Sequence, residues 1–150
     1  LKETRKEFNY VECGASRILS VADGKDVVIF SVGDCTRFIY QDVLPFLKMK
    51  KGISAGLIDI RFVKPLDKKT ILGSVSEGQP VVVVEENTSQ GGAGEALEDL
   101  ILSSGIKTKF LRISLPDEFV PHGSQKYLRD LVGLSPEKIA ESIGKFLSSR

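Results

Sequence analysis

The sequence predicts an α/β layer fold, and three observations carry that expectation. Short β-branched apolar runs, VVIFSV at Val27–Val32 and VVVV at 81–84, read as strands buried on both faces. Between such runs lie segments whose apolar residues recur three and four apart, the spacing of helices packed by one face. Glycine-rich and polar clusters separate the two kinds, as in strands alternating with helices joined by right-handed crossovers. At 150 residues and 41% hydrophobic, the chain is read as one domain over 1–150, with room for one core.

Taken in order, residues 1–12 are charged and irregular and form a lead-in. Residues 16–22 read as a first strand, closed by the turn pair Asp23-Gly24, and Val27–Val32 as a second. So short a gap favours antiparallel pairing between these two. Residues 36–48 place Ile39, Val43, Phe46 and Leu47 on one helical face, but Pro45 interrupts the pattern and predicts a kink or an early end. Residues 54–59 form a third strand. Pro65-Leu66-Asp67 then opens a short helix with Asp67 as N-cap and Leu66 stapled to Ile71.

The fourth strand, 81–85, stops abruptly at Glu85 and Glu86 and leads through Gly91, Gly92 and Gly94 into a helix over 93–103. Residues 107–113 alternate as a fifth strand, and 114–119 read as the loop that leaves it. Two helices close the chain. The first covers 125–131, and the second begins with Ser135 at the cap and Pro136 in the first helical position.

Composition excludes several classes of function. A net charge of +1 with scattered basic residues leaves no footprint for nucleic acid or membrane, and the cluster Lys48, Lys50, Lys51 reads as a solvated helix end. The apolar runs are far too short to span a bilayer and no signal segment opens the chain, so a cytoplasmic protein is expected. Cys13 and Cys35 are too far apart for a redox or zinc pair, and the single His122 cannot complete a metal site. The glycosylation sequon at Asn87 has no secretory context. The chain opens on Leu1 without a methionine, which hints at a piece of something longer.

Three constellations could carry chemistry. Gly91, Gly92 and Gly94 before a helix could cradle an anion, but the spacing matches neither dinucleotide nor P-loop patterns. Glu95, Glu98 and Asp99 would also repel phosphate, so a tight turn with close helix packing is the better reading. Glu85 and Glu86 are strand neighbours pointing to opposite faces, which favours a structural or interface contact over a proton-sharing dyad. His122, in Pro121-His122-Gly123-Ser124, has no identifiable nucleophile or orienting partner and reads as a loop histidine.

At this point a resemblance becomes specific. The run Asp59 through Asp67 (DIRFVKPLD), Glu85-Glu86 followed by Gly91-Gly92-Ala93-Gly94, Leu115-Pro116-Asp117, His122-Gly123 and Gly133-Leu134 occur in the order and spacing of a known family. Together they resemble the C-terminal domain of the 1-deoxy-D-xylulose-5-phosphate synthases, within the transketolase superfamily. The resemblance covers nearly the whole chain from about Asp23. Arg61-Phe62 and the HG-to-GL ending favour that branch over transketolase proper and over the beta chains of 2-oxoacid dehydrogenases. Pro45, inside a helix the family leaves continuous, and Ser89-Gln90, which extend the polar turn, depart from the pattern.

The resemblance implies a three-layer α/β/α sandwich around a five-stranded, mostly parallel sheet whose first strand is antiparallel. It also implies a homodimeric parent enzyme that uses thiamin diphosphate and Mg2+, held by two preceding domains. No residue here matches the diphosphate and metal motif or the glutamate that activates thiamin, so no catalytic, cofactor-binding or metal residue is assigned. Asp59, Arg61, Asp67, Glu86, Gly92, Gly94 and His122 are expected to shape a rim facing neighbouring domains or the dimer partner. A stand-alone anion-binding or protein-interaction module using the 91–94 turn is the alternative from another class.

Overall fold

A computed structural model describes residues 10–20 and 26–149. Five strands form one sheet in the order β1-β3-β2-β4-β5: β1 Arg17–Ser20, β2 Val27–Val32, β3 Ala55–Asp59, β4 Val81–Thr88 and β5 Phe110–Leu115. β2 pairs in parallel with β3 and β4, β4 in parallel with β5, and β1 runs antiparallel. The expected partner of β1 is corrected, because it lies against β3 with Arg17 opposite Asp59. β2 already has β3 on one side and β4 on the other, so no edge is left for β1 to take. The Asp23-Gly24 turn lies outside the described residues.

Alternation along the strands sorts their side chains into two cores. Val27, Ile29, Leu57, Val82 and Val84 face one layer of helices, and Val28, Phe30, Ile58, Val81 and Val83 face the other. The first layer comprises α1 (Cys35–Phe38), a π-helical turn (Ile39–Val43), α2 (Leu44–Lys51) and α6 (Pro136–Ser148), which contribute Ile39, Val43, Leu47, Ile139 and Ile143. The second comprises α3 (Lys68–Gly73) and α4 (Ala93–Ser103), with Ile71, Leu97 and Ile101. The three-layer mixed-sheet sandwich is therefore present.

Local differences have physical causes. The helix does not end at Pro45 but runs on to Lys51, because the turn before the proline widens. The Leu44 N–H reaches back to the Ile39 carbonyl, and Pro45 falls in the first turn of α2, where no N–H is needed. Gly52 then ends α2 with φ 63°, and Lys48, Lys50 and Lys51 fill its last turn, as the helix dipole favours. β4 continues past Glu85 to Thr88 through an irregularity in its pairing with β5. Ser135 stands at the N-cap of α6, but its hydroxyl bonds the Asp130 carboxylate at 3.0 Å instead of capping the helix.

Candidate functional site

The parallel strands end together on one rim, and the sheet order reverses between β2 and β4. From β2 the chain moves out to β3, then crosses back over β2 to β4. In open α/β sheets the crevice at such a reversal is where ligands bind. Here it is a cleft of about 250 Å3 lined by Gly33 and Asp34 after β2, Val63, Glu85 and Glu86 of β4, and Gly91.

Glu85 dominates its floor. The side chain is 2% exposed, and its carboxylate accepts the Ala93 N–H at 2.8 Å and the Gly94 N–H at 2.9 Å, the first free amides of α4. Glu95 takes the Gly91 N–H at 2.6 Å. The glycines make this closure possible. A Cβ on Gly92 would lie 2.5 Å from the Thr88 carbonyl and 2.6 Å from Glu85 Oε1, and one on Gly94 would lie 2.9 Å from the same oxygen. The amides that could have cradled a phosphate are filled by the chain's own carboxylates.

Glu86, next along the strand, points to the opposite side and into an ion network. Arg129 of α5 (Gln125–Leu131) donates from Nε to Glu86 Oε1 at 2.5 Å and from Nη2 to Asp34 Oδ2 at 2.8 Å. Its guanidinium also lies 4.6 Å from the centre of the Phe38 ring. Arg37 adds a second contact to Asp34 at 3.2 Å. Hydrogen bonds from Arg129 first, then from Arg37, hold the Asp34 carboxyl below the usual carboxylate range. Beside this network Cys35 is buried, and loss of solvent, reinforced by the negative charge of Glu86, pushes its thiol up to about 12.

The remaining rim lies at the end of β3. Asp59 accepts from Thr36 Oγ1 at 3.2 Å and faces Arg61 Nε at 3.8 Å, while Thr36 shares a 2.8 Å hydrogen bond with the buried Ser31. Asp67 caps α3 by accepting the Thr70 N–H at 3.0 Å, and its other oxygen accepts the Ser16 N–H at 2.9 Å. Burial acts to raise the Asp67 pKa, but the amides of Thr70 and Ser16 outweigh it and leave it lowered. Because β1 is antiparallel, its first residue, Arg17, sits at the rim where β3 ends. The segment before it is stapled there through Ser16 and by Gly14 against Pro65.

The rim residues named from sequence thus fall in three places. Asp59, Arg61 and Asp67 gather at the end of β3, and Glu86 sits at the end of β4, with Gly92 and Gly94 buried under the turn beside it. His122 stands exposed in the 116–124 loop. Sequence reasoning missed Arg129 and Asp34, which are 95 positions apart and show no local pattern. These residues do not fit a diphosphate cofactor with its metal ion. The turn amides are occupied by Glu85 and Glu95, and among the described residues no group of three or more His, Cys, Asp or Glu is placed to hold a metal. No helix among them is long and apolar enough to cross a membrane.

Comparison with known proteins agrees with this geometry. The family model described as transketolase, C-terminal domain, matches residues 16–139. A 1-deoxy-D-xylulose-5-phosphate synthase of Syntrophomonas wolfei is 37% identical over 139 residues, covering 93% of this chain and 21% of the relative. The synthase of Halothermothrix orenii is 36% identical over 151 residues, covering 99% and 23%. The chain therefore spans roughly a fifth of the curated relatives it matches. Among solved structures, a split-gene transketolase described as an inactive beta4 tetramer superposes with a TM-score of 0.80 at 26% identity, covering 92% of this chain and 44% of that one. Transketolase from Pichia stipitis shares the fold with a TM-score of 0.65 at 20% identity, covering 90% and 18%.

Proposed function

The chain belongs to the transketolase C-terminal domain family, and from that premise we propose that it is the architectural domain of a thiamin diphosphate-dependent 1-deoxy-D-xylulose-5-phosphate synthase. The parent would convert pyruvate and glyceraldehyde 3-phosphate into 1-deoxy-D-xylulose 5-phosphate and CO2, for isoprenoid synthesis. Thiamin diphosphate and Mg2+ belong to its preceding domains, and the parent works as a cytoplasmic homodimer. The observation that carries the architectural reading is Glu85. A carboxylate seated on the helix amides closes the glycine turn at which the switch-point crevice could have taken a phosphate.

In this reading the whole chain acts as one domain, and its rim of Asp59, Arg61, Asp67, Glu86 and His122 faces the neighbouring domains or the dimer partner. Gly92 and Gly94 keep the turn beneath that rim close-packed. The position of Ser16 and Arg17 supports the arrangement, because polypeptide preceding them meets the sheet at that rim.

The test has two arms. The parent protein is assayed for CO2 release from pyruvate that depends on glyceraldehyde 3-phosphate, and the 150-residue chain is titrated with thiamin diphosphate and Mg2+ by calorimetry. Coupled decarboxylation by the parent and no heat of binding to the isolated chain are expected. Transfer from a ketose phosphate without CO2 would assign the domain to a transketolase instead. Tight stoichiometric cofactor binding by the isolated chain would overturn the architectural reading.

A further inference from the structure

Residues 116–131 cross the rim between two buried anchor regions, yet none of them is itself buried. Only Val120, Leu128 and Arg129 are even partly covered. The α5 helix in this stretch is undercut on both flanks. On one side a cleft of about 340 Å3 is walled by Leu115, Val120, Leu128, Val132 and Leu134. On the other, a cleft of about 520 Å3 separates α5 from Arg37, Phe38 and Asp42. With so little apolar packing beneath it, the segment depends for its position on directed contacts.

Arg129 supplies them, since its side chain is 14% exposed and meets Glu86 of β4, Asp34 after β2 and the Phe38 ring of α1 at once. The two carboxylates of Glu86 and Asp34 and the two guanidinium groups of Arg129 and Arg37 balance in charge. Nothing else among the described residues of 116–131 forms an ion pair with the strands.

We propose that 116–131 is a strap across the rim and that Arg129 is the ionic latch that holds it closed. Release of the latch frees Glu86, leaves Asp34 to Arg37 alone, and opens the apolar cleft above Leu115 and Leu134. The rest of the fold stays intact, because apart from the edge at Leu134 both cores lie under other helices. The inference stands on this chain's geometry and does not depend on the activity of a parent enzyme.

Hydrogen exchange read by mass spectrometry on the 150-residue chain tests it. In Arg129→Met the amides of 125–132 should exchange about tenfold faster or more, those of β2 and β4 should be unchanged, and Arg129→Lys should fall between. In the unmodified protein, raising NaCl from about 0.05 to 1 M should speed the same amides about threefold, since salt screens partly exposed pairs. This salt arm decides the matter if Arg129→Met fails to fold. Strap amides that ignore salt and charge removal, or strand amides that accelerate in step with them, would overturn the latch.

Discussion

Removal of the Glu85 carboxylate isolates the contribution of a side chain that closes a helix from outside it. Two charge-assisted hydrogen bonds, at 2.8 and 2.9 Å, end on amides that have no other partner within α4. Bonds to a charged group contribute about 1.5–3 kcal/mol each, and relaxation recovers part of that when the side chain is cut back. Glu85→Ala is therefore expected to cost about 3–5 kcal/mol, a large share of the roughly 5–15 kcal/mol that holds a domain folded. At about 2–4 °C per kcal/mol for a domain of this length, the melting temperature should fall by roughly 6–20 °C.

Glu85→Gln separates charge from shape. It keeps one acceptor oxygen but turns an NH2 group toward a second donor, so about half of the alanine loss or more should remain. Thermal denaturation gives the size of the effect, and exchange at Ala93 and Gly94 gives its place. A glutamine variant within about 0.5 kcal/mol of the parent protein, with both amides still protected, would refute the view that the negative charge closes the helix.

Two further outcomes follow from the same rim. Gly92→Ala puts a Cβ 2.5 Å from a backbone carbonyl and should cost about 2–4 kcal/mol in urea denaturation, whereas Gly73→Ala meets nothing within 4 Å and should be neutral or stabilising by up to about 1 kcal/mol. The Asp67 pKa is lowered in the folded chain, so its contribution is complete above the unfolded value near 3.9 and fades as pH falls through the folded one. Melting curves of Asp67→Asn and the unmodified protein should accordingly differ at pH 6 and draw together as pH falls through the lowered folded value; a gap that stays constant on acidification would rule out the charge as the cause.

Much of the fold was legible because its signals are local. The valine run, the Asp67 cap and the start at Pro136 each lie within a few residues, and all three form as expected, with Leu66 packed against the core cluster that holds Ile71. The partner of β1 was not legible. A short gap argues for pairing between neighbours, but sheet order is settled by which strands can be buried on both faces, and β2 is the strand that wins the centre. The end of β4 was misplaced for a related reason, since backbone pairing with β5 outlasts the apolar run and carries Glu86 and Asn87 along.

At the site the division is the same. The opposite facing of Glu85 and Glu86 follows from strand geometry, and the sequence also warned that acids near the glycine turn would exclude phosphate. That Glu85 itself would be the occupant required the turn to fold back over the strand. Arg129 carries no local signal, and its role shows only once α5 stands above two strand ends.

The reversed direction of β1 has a consequence for how any upstream partner is held. Polypeptide joined at Ser16 is tethered at the rim, so docking there becomes an intramolecular event with an effective concentration of order millimolar for a short linker. A contact worth only about 4 kcal/mol, with a dissociation constant near 1 mM, would then be occupied about half the time. The same two surfaces on separate molecules at micromolar concentration would almost never meet. With the tether supplying the proximity, a rim this polar and largely self-satisfied would suffice to keep such a partner in place.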